Sequence, residues 1–202
     1  AVRIIGLTGG IACGKSTVSQ ELHARGAVII DADALAHELS RPGQSVYNAY
    51  VERFGSTVVA ADGTLDRAAV ARLIFVDPTL RAEIERIVHP LIRAAAEERL
   101  QAARAADERA AVLDVPLLFE AGWDTIADET WVVALPPEEQ LARLLARDKS
   151  MDEGEARARI AAQMPLAEKC ARADVVIDNS VTKKEMREYI GKLWRERIGE
   201  GS

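Results

Sequence analysis

The chain has 202 residues, of which 49% are hydrophobic and 29% charged, and a formal net charge of −6. That balance fits one soluble globular domain with room for an inserted lobe, and it excludes broad electrostatic binding to nucleic acid or anionic membrane. No apolar run approaches the roughly eighteen residues of a membrane span, Val2 to Leu7 is too short for a signal peptide, and Cys13 and Cys170 are too few and too far apart for a disulfide framework or zinc site, so a reduced, cytoplasmic protein is expected.

The first element is a strand. Val2, Ile4, Ile5 and Leu7 form a short apolar run that ends in glycines. Gly9, Gly14, Lys15 and Ser16 then fit the pattern GxxxxGK[ST], and Val18 and Leu22, four apart, begin a helix. Without side chains at Gly9, Gly10 and Gly14 the backbone can curl so that its N–H groups converge on phosphate oxygens. The loop feeds a helix N-terminus, which favours an anion. Lys15 is placed to reach the β- and γ-phosphates, and the Ser16 hydroxyl to ligate Mg²⁺. ATP and Mg²⁺ are therefore the expected cofactors.

Gly26 stops this helix, and Ala27 to Asp33 reads as a second strand that breaks into carboxylates at its C-terminal end. In open α/β sheets ligands sit at that end. Asp31 and Asp33, two apart, would share one face of a strand. Asp33 is read in two ways, as the N-cap of the helix that follows and as a general base beside the γ-phosphate. From Leu35 to Ala103 the pattern is almost entirely helical, with turns at Arg41 to Gly43 and Ala61 to Thr64, and a cap at Thr64 or Asp66. Asp77 and Pro78 start a helix that His89-Pro90 is expected to interrupt, and a long helix follows from Leu91 to Ala106. So much helix between two strands exceeds what a crossover needs, which suggests an inserted lobe that helps form a substrate site.

The third strand is read over Ala110 to Glu120, with Pro116 ending its ladder. Asp114, after four apolar residues, resembles a Walker-B carboxylate that would hold Mg²⁺ directly or through water, although such a run often arises by chance. Glu129 to Leu135 is the fourth strand, and Trp123 and Trp131 are read as packing residues. Leu141, Leu144 and Leu145 then mark one helix, whose other face carries Arg143 and Arg147. Glu138 to Arg172 holds seven basic and seven acidic side chains, so it is no site for a long polyanion. Its place after the fourth strand suggests a mobile lid whose arginine closes over the transferring phosphoryl group. Asp174 to Asp178 forms a fifth strand, and Lys183 to Arg197 the last helix. The fold class is therefore α/β: a three-layer α/β/α fold around a phosphate-binding loop, with a five-stranded parallel sheet. The expected organisation is a core of residues 1–34, 107–136 and 173–202, a helical substrate-binding insertion over 35–106, and a lid over 137–172.

With these residues assembled, the chain resembles dephospho-coenzyme A kinases over nearly its whole length. The resemblance rests on LTGGIxxGKST, DADxxAHxLxxPG from Asp31 to Gly43, FG followed by DGTLDR, IVHPLI, DVPLLFE, ARD at Ala146 to Asp148, RIAAQM and VIDNS, in that order. It implies transfer of the γ-phosphate of ATP to the ribose 3′-hydroxyl of dephospho-CoA, giving coenzyme A and ADP. It also implies that Gly9, Gly10, Ile11, Ala12, Cys13, Gly14, Lys15, Ser16 and Thr17 bind ATP and Mg²⁺, and that Asp33 is the base. Arg147 would neutralise developing phosphate charge. His89, Pro116, Leu117, Leu118, Glu120 and Arg143 would contact the acceptor, and Asn179 the adenine. The partner is then a small molecule, with no nucleic acid and no membrane, and the protein a monomer or weak homo-oligomer. A nucleoside or nucleotide kinase with another acceptor is the alternative, and a non-catalytic nucleotide switch is disfavoured by the missing NKxD motif. One departure stands out: Ala12-Cys13 replaces the family's usual Gly-Ser. At a helix N-terminus beside Lys15, Cys13 is expected to have a lowered thiol pKa.

Overall fold

The near-continuous apolar runs read as strands form one parallel sheet, as runs buried on both faces should. In the computed structural model, which describes residues 1–199, the strands are β1 (Arg3–Gly9), β2 (Val28–Asp31), β3 (Ala110–Asp114), β4 (Glu129–Ala134) and β5 (Val175–Asp178). The last three residues of the expected core segment, 200–202, lie outside the described residues. The sheet order is β2-β3-β1-β4-β5, so the chain leaves β1 to one side and later crosses it to reach the other. The carboxyl ends beside β1 thus form the switch point where open α/β sheets hold ligands.

The helices are α1 (Lys15–Ala24), α2 (Ala32–Leu39), α3 (Ser45–Phe54), α4 (Arg67–Val76), α5 (Pro78–Ala105), α6 (Pro137–Arg147), α7 (Glu153–Ala162), α8 (Leu166–Arg172) and α9 (Lys183–Arg197). The chain divides into two compact units, residues 1–30 with 103–202, and residues 31–102.

The first unit holds the sheet. Ile5, Leu7, Val112, Trp131 and Val133 pack from one sheet face against Val18 and Leu22 of α1 and Met186 and Trp194 of α9. On the opposite face Gly6 lies so near Leu118 and Ala127 that a Cβ there would meet them at 3.0 and 3.2 Å. At the amino-terminal rim Glu129 is buried and accepts from Arg3 Nε at 3.2 Å, Trp131 Nε1 at 2.6 Å and Arg197 at 3.3 Å. Burial alone would raise its carboxyl pKa, but the hydrogen bonds from Arg3 and Trp131 and the charge of Arg197 hold it below the ordinary value.

The second unit is helical. Asp66 caps α4 by accepting from Ala69 N at 3.0 Å, and an isolated bridge from Val59 to Leu65 closes the turn between them. Leu35, Val46, Val58, Val70 and Ile84 are buried within it.

The structure corrects three sequence boundaries. The second strand ends at Asp31, not Asp33, and Asp31 is the N-cap of α2, accepting from Asp33 N at 2.9 Å and Ala34 N at 3.1 Å. Once that side chain satisfies the helix's first donors, the helix starts two residues earlier. The third strand stops at Asp114, and 116–120 is a turn, consistent with a proline that cannot donate to a ladder. The expected break at His89-Pro90 does not occur: α5 runs through Pro90. A proline inside a helix costs about 3 kcal/mol, whereas burying Ile84 before it and Leu100 after it stabilises the continuous helix by about 3–6 kcal/mol.

Candidate active site

The phosphate loop joins β1 to α1, and its carbonyls are engaged one after another. Gly10 O accepts from Cys13 N at 3.1 Å, Ile11 O from Gln140 Nε2 at 3.0 Å, and Cys13 O from Asn179 Nδ2 at 2.8 Å. Gln140 and Asn179 are themselves buried, and Arg143 donates to Asn179 O at 3.0 Å. With these carbonyls tied, the N–H groups of Lys15 and Ser16 at the start of α1, which have no intrahelical partner, are left for a ligand. The cradle is tight. A Cβ on Gly14 (φ 88°) would sit 2.1 Å from Asn179 Nδ2, and one on Gly10 would sit 2.7 Å from Gln140 Nε2. Gly14 is therefore required both by conformation and by the Asn179 brace, and Gly10 by the crowding of Gln140.

Two residues expected at ligands also hold the loop. Asn179, expected at the adenine, donates its side-chain amide to the Cys13 carbonyl. Arg143, expected at the acceptor, has one guanidinium nitrogen committed to the Asn179 carbonyl. Both act here as braces. Gln140 escaped the sequence reading because a Gln in an amphipathic helix has no pattern that marks it as buried.

Lys15 Nζ forms an ion pair with the buried carboxylate of Asp114. Their neighbourhood follows from register, since Leu7 of β1 pairs with Asp114 of β3. Ser16 is exposed on the first turn of α1. A hydroxyl and a carboxylate are hard oxygen donors, the kind Mg²⁺ takes while keeping water and phosphate oxygens for its other positions. The described residues hold no group of three or more His, Cys, Asp or Glu side chains that would cage a metal by themselves.

The turn after β3 is pinned from two sides at one atom. Pro116 O accepts from Thr8 Oγ1 at 2.9 Å and from Lys169 Nζ at 3.2 Å. Lys169 on α8 is fully buried and also meets Gln163 Oε1 and Glu120 Oε2, each at 3.4 Å. Glu120 further accepts from Met164 N at 3.4 Å. Leu118 is buried and Leu117 exposed. Of the five residues of the 116–120 turn, Pro116 and Glu120 are thus bound to α8 and the turn preceding it. Sequence reasoning missed Lys169, which sits in a mixed-charge run that reads as a solvated face.

Leu141 and Leu144 of α6, Met151 in the turn before α7, Ala156 of α7, and the partly buried Ile11 and Ala12 form a small second core, so these helices rest on the phosphate loop itself. Arg147 is exposed in the last turn of α6. Beyond it, Asp148 accepts from the Ser150 hydroxyl at 2.6 Å, which holds its carboxyl below the ordinary range.

Ala12 and Cys13 differ from expectation. Ala12 has φ 61°, a left-handed conformation that disfavours any side chain. Cys13 faces the core with no solvent exposure, and burial pushes its thiol pKa up to about 11, overturning the expected lowered value. The helix N-terminus does favour a thiolate, but desolvation outweighs it.

Within the second unit, Asp33 is exposed in the first turn of α2. His89 lines a cavity of about 270 Å³ with Tyr50, Ile74, Ile84, Val88 and Ile92, edged by Arg81 and Glu85.

The family model described as dephospho-CoA kinase matches residues 3–185. The chain is 50% identical to a dephospho-CoA kinase of Symbiobacterium thermophilum over 98% of its length and 82% of the relative's. It is 47% identical to one from Geobacter sulfurreducens over 98% of this chain and all of that one. Among solved structures, TT1252 from Thermus thermophilus shares 36% identity with a TM-score of 0.81, covering 98% of this chain and 99% of that one.

Proposed function

From the premise that this chain belongs to the dephospho-CoA kinase family, we propose which of its residues carry each part of the reaction. The reaction is transfer of the γ-phosphoryl group of ATP to the ribose 3′-hydroxyl of dephospho-CoA, giving coenzyme A and ADP. The observation that carries the assignment is the braced loop with its Lys15–Asp114 pair. Gly9 to Thr17 bind the phosphates of ATP through backbone N–H groups, and Lys15 leaves Asp114 to meet the β- and γ-phosphates. Asp33 takes the proton from the 3′-hydroxyl as its oxygen bonds to the γ-phosphorus and the bond to the β-phosphate oxygen breaks. Arg147 neutralises charge on the transferring group, and residues 137–172 act as the lid that excludes water. His89 and the 116–120 turn contact the acceptor, with residues 35–106 as the substrate-binding insertion.

Ser16 and Asp114 would hold Mg²⁺, which when bound supplies positive charge to the β- and γ-oxygens. The same reading makes this a cytoplasmic protein, a monomer or weak homo-oligomer. It is supported by two free cysteines, and no helix among the described residues is long and apolar enough to cross a membrane.

Asp33→Asn tests the assignment. Turnover should fall about 10²–10⁴-fold while ATP affinity stays near wild type, and product analysis should place the new phosphate on the ribose 3′-oxygen. Near-normal turnover in this variant would refute Asp33 as the base.

A further inference from the structure

The two ends of α6 are held differently. β4 passes into this helix through the buried Leu135 and then Pro136 and Pro137, and a proline at the first helical position fixes the entry of the chain. One turn on, Gln140 is 4% exposed, and its Nε2 donates to Ile11 O at 3.0 Å. The same nitrogen lies so near Gly10 that a Cβ there would meet it at 2.7 Å. A leucine would fill this place without burying a polar group, so the amide is to be explained by its hydrogen bond. A turn further, Leu144 joins Ile11 and Ala12 in the second core. Arg147, in the last turn, is exposed.

Gln140 and Arg147 are two turns apart on one helix, so their side chains leave it on the same face, about 10 Å apart along the axis. The face that meets the loop at Gln140 is therefore the face that carries Arg147. A helix this short moves as a rod. With the rod pinned at Gln140, a tilt of about 6° carries Arg147 about 1 Å off line. An error of that size costs up to about 100-fold in rate even when its cause lies far from the reacting atoms. We propose that Gln140 is a positioning residue for phosphoryl transfer: its bond to Ile11 O sets the angle of α6 on the loop and so aims Arg147 at the transferring group. The inference rests on the reading of Arg147 as the residue that neutralises charge there.

The experiment is a double-mutant cycle on kcat at saturating ATP and dephospho-CoA, with wild type, Gln140→Met, Arg147→Ala and the double variant. Methionine has nearly the helix propensity of glutamine and no proton to donate. Leu141 and Leu144 still rest on the loop in this variant, so the tilt is partial. Gln140→Met should lower kcat about tenfold in the wild-type background. In the Arg147→Ala background it should leave kcat unchanged, because an arginine that is gone cannot be misaimed. An equal loss in both backgrounds means that Gln140 serves the loop alone and overturns the proposal, as does an unchanged kcat in Gln140→Met. Gln140→Ala removes the donor without placing a long apolar chain in the pocket, and it runs the same cycle if Gln140→Met fails to fold. The two readings fail differently. A near-normal kcat in Arg147→Ala removes the Arg147 assignment and the proposal with it, whereas a slow Arg147→Ala with an additive Gln140 effect removes only the positioning role.

Discussion

The two rims of the sheet make opposite use of buried charge. At the amino-terminal rim, Glu129 is surrounded by donors from Arg3, Trp131 and Arg197, and both carboxylate oxygens are used. At the carboxyl-terminal rim, Gln140 and Asn179 spend their donors on loop carbonyls, and the first N–H groups of α1, those of Lys15 and Ser16, have no intrahelical acceptor. The first rim is complete without a ligand. The second is arranged so that an anion completes it. Both are built from ordinary polar residues, and what separates them is whether donors and acceptors balance inside the protein.

The comparison can be broken or sharpened by substitution, beginning with the largest effect. Gly14→Ala strikes the ligand-dependent rim. An unfavourable left-handed alanine together with displacement of Asn179 should cost about 3 kcal/mol of nucleotide binding, or about 100-fold in kcat/KM for ATP, measured by steady-state kinetics and ATP titration. Glu129→Ala strikes the other rim and should leave kcat/KM unchanged. It strands the buried Trp131 N–H and should lower stability by about 2 kcal/mol, or about 4–8 °C in Tm. A loss of activity without a loss of Tm would erase the distinction between the rims.

Glu129 also sets a pH signature. Its folded-state pKa lies below the ordinary 4.5, so its contribution to stability is present above that value and is lost as pH falls through the lower one. Urea titrations from pH 6 downward should show a steeper loss for wild type than for Glu129→Ala.

Lys169→Met removes one of the two donors on Pro116 O. A loss of about 1 kcal/mol should appear as a rise of about fivefold in KM for dephospho-CoA, with ATP affinity unmoved. Lys169→Arg should recover much of it, whereas a purely structural role would shift Tm and leave the KM alone. The smallest effect is expected at Ala12. Relieving its left-handed backbone with Ala12→Gly should stabilise the protein by about 0.5 kcal/mol, read as a small rise in the urea midpoint.

What the sequence made legible was local. The β1–loop–α1 unit, the Asp66 cap, the five strands and α9 all rest on spacing within a few residues, and spacing survives folding. What stayed hidden depends on distant neighbours. Asp31 and Asp33 are chemically alike, and only the path of β2 decides which one caps α2. Pro90 is an interruption until the burial of Ile84 and Leu100 is known. Lys169 and Gln140 acquire their roles only when α8 and α6 pack, because buried polar residues carry no hydrophobic period. Cys13 was misread for the same reason: its neighbours in sequence favour a thiolate, but its neighbours in space remove water.

That last residue bears on how this protein is best inhibited. A cysteine in the middle of a nucleotide loop looks like an anchor for an electrophilic ATP analogue. Burial pushes its thiol pKa up to about 11, however, which keeps the sulfur protonated at neutral pH, and the side chain is fully buried among core residues. Reversible compounds that imitate a diphosphate therefore have a better foothold in this loop than warheads that need a nucleophile.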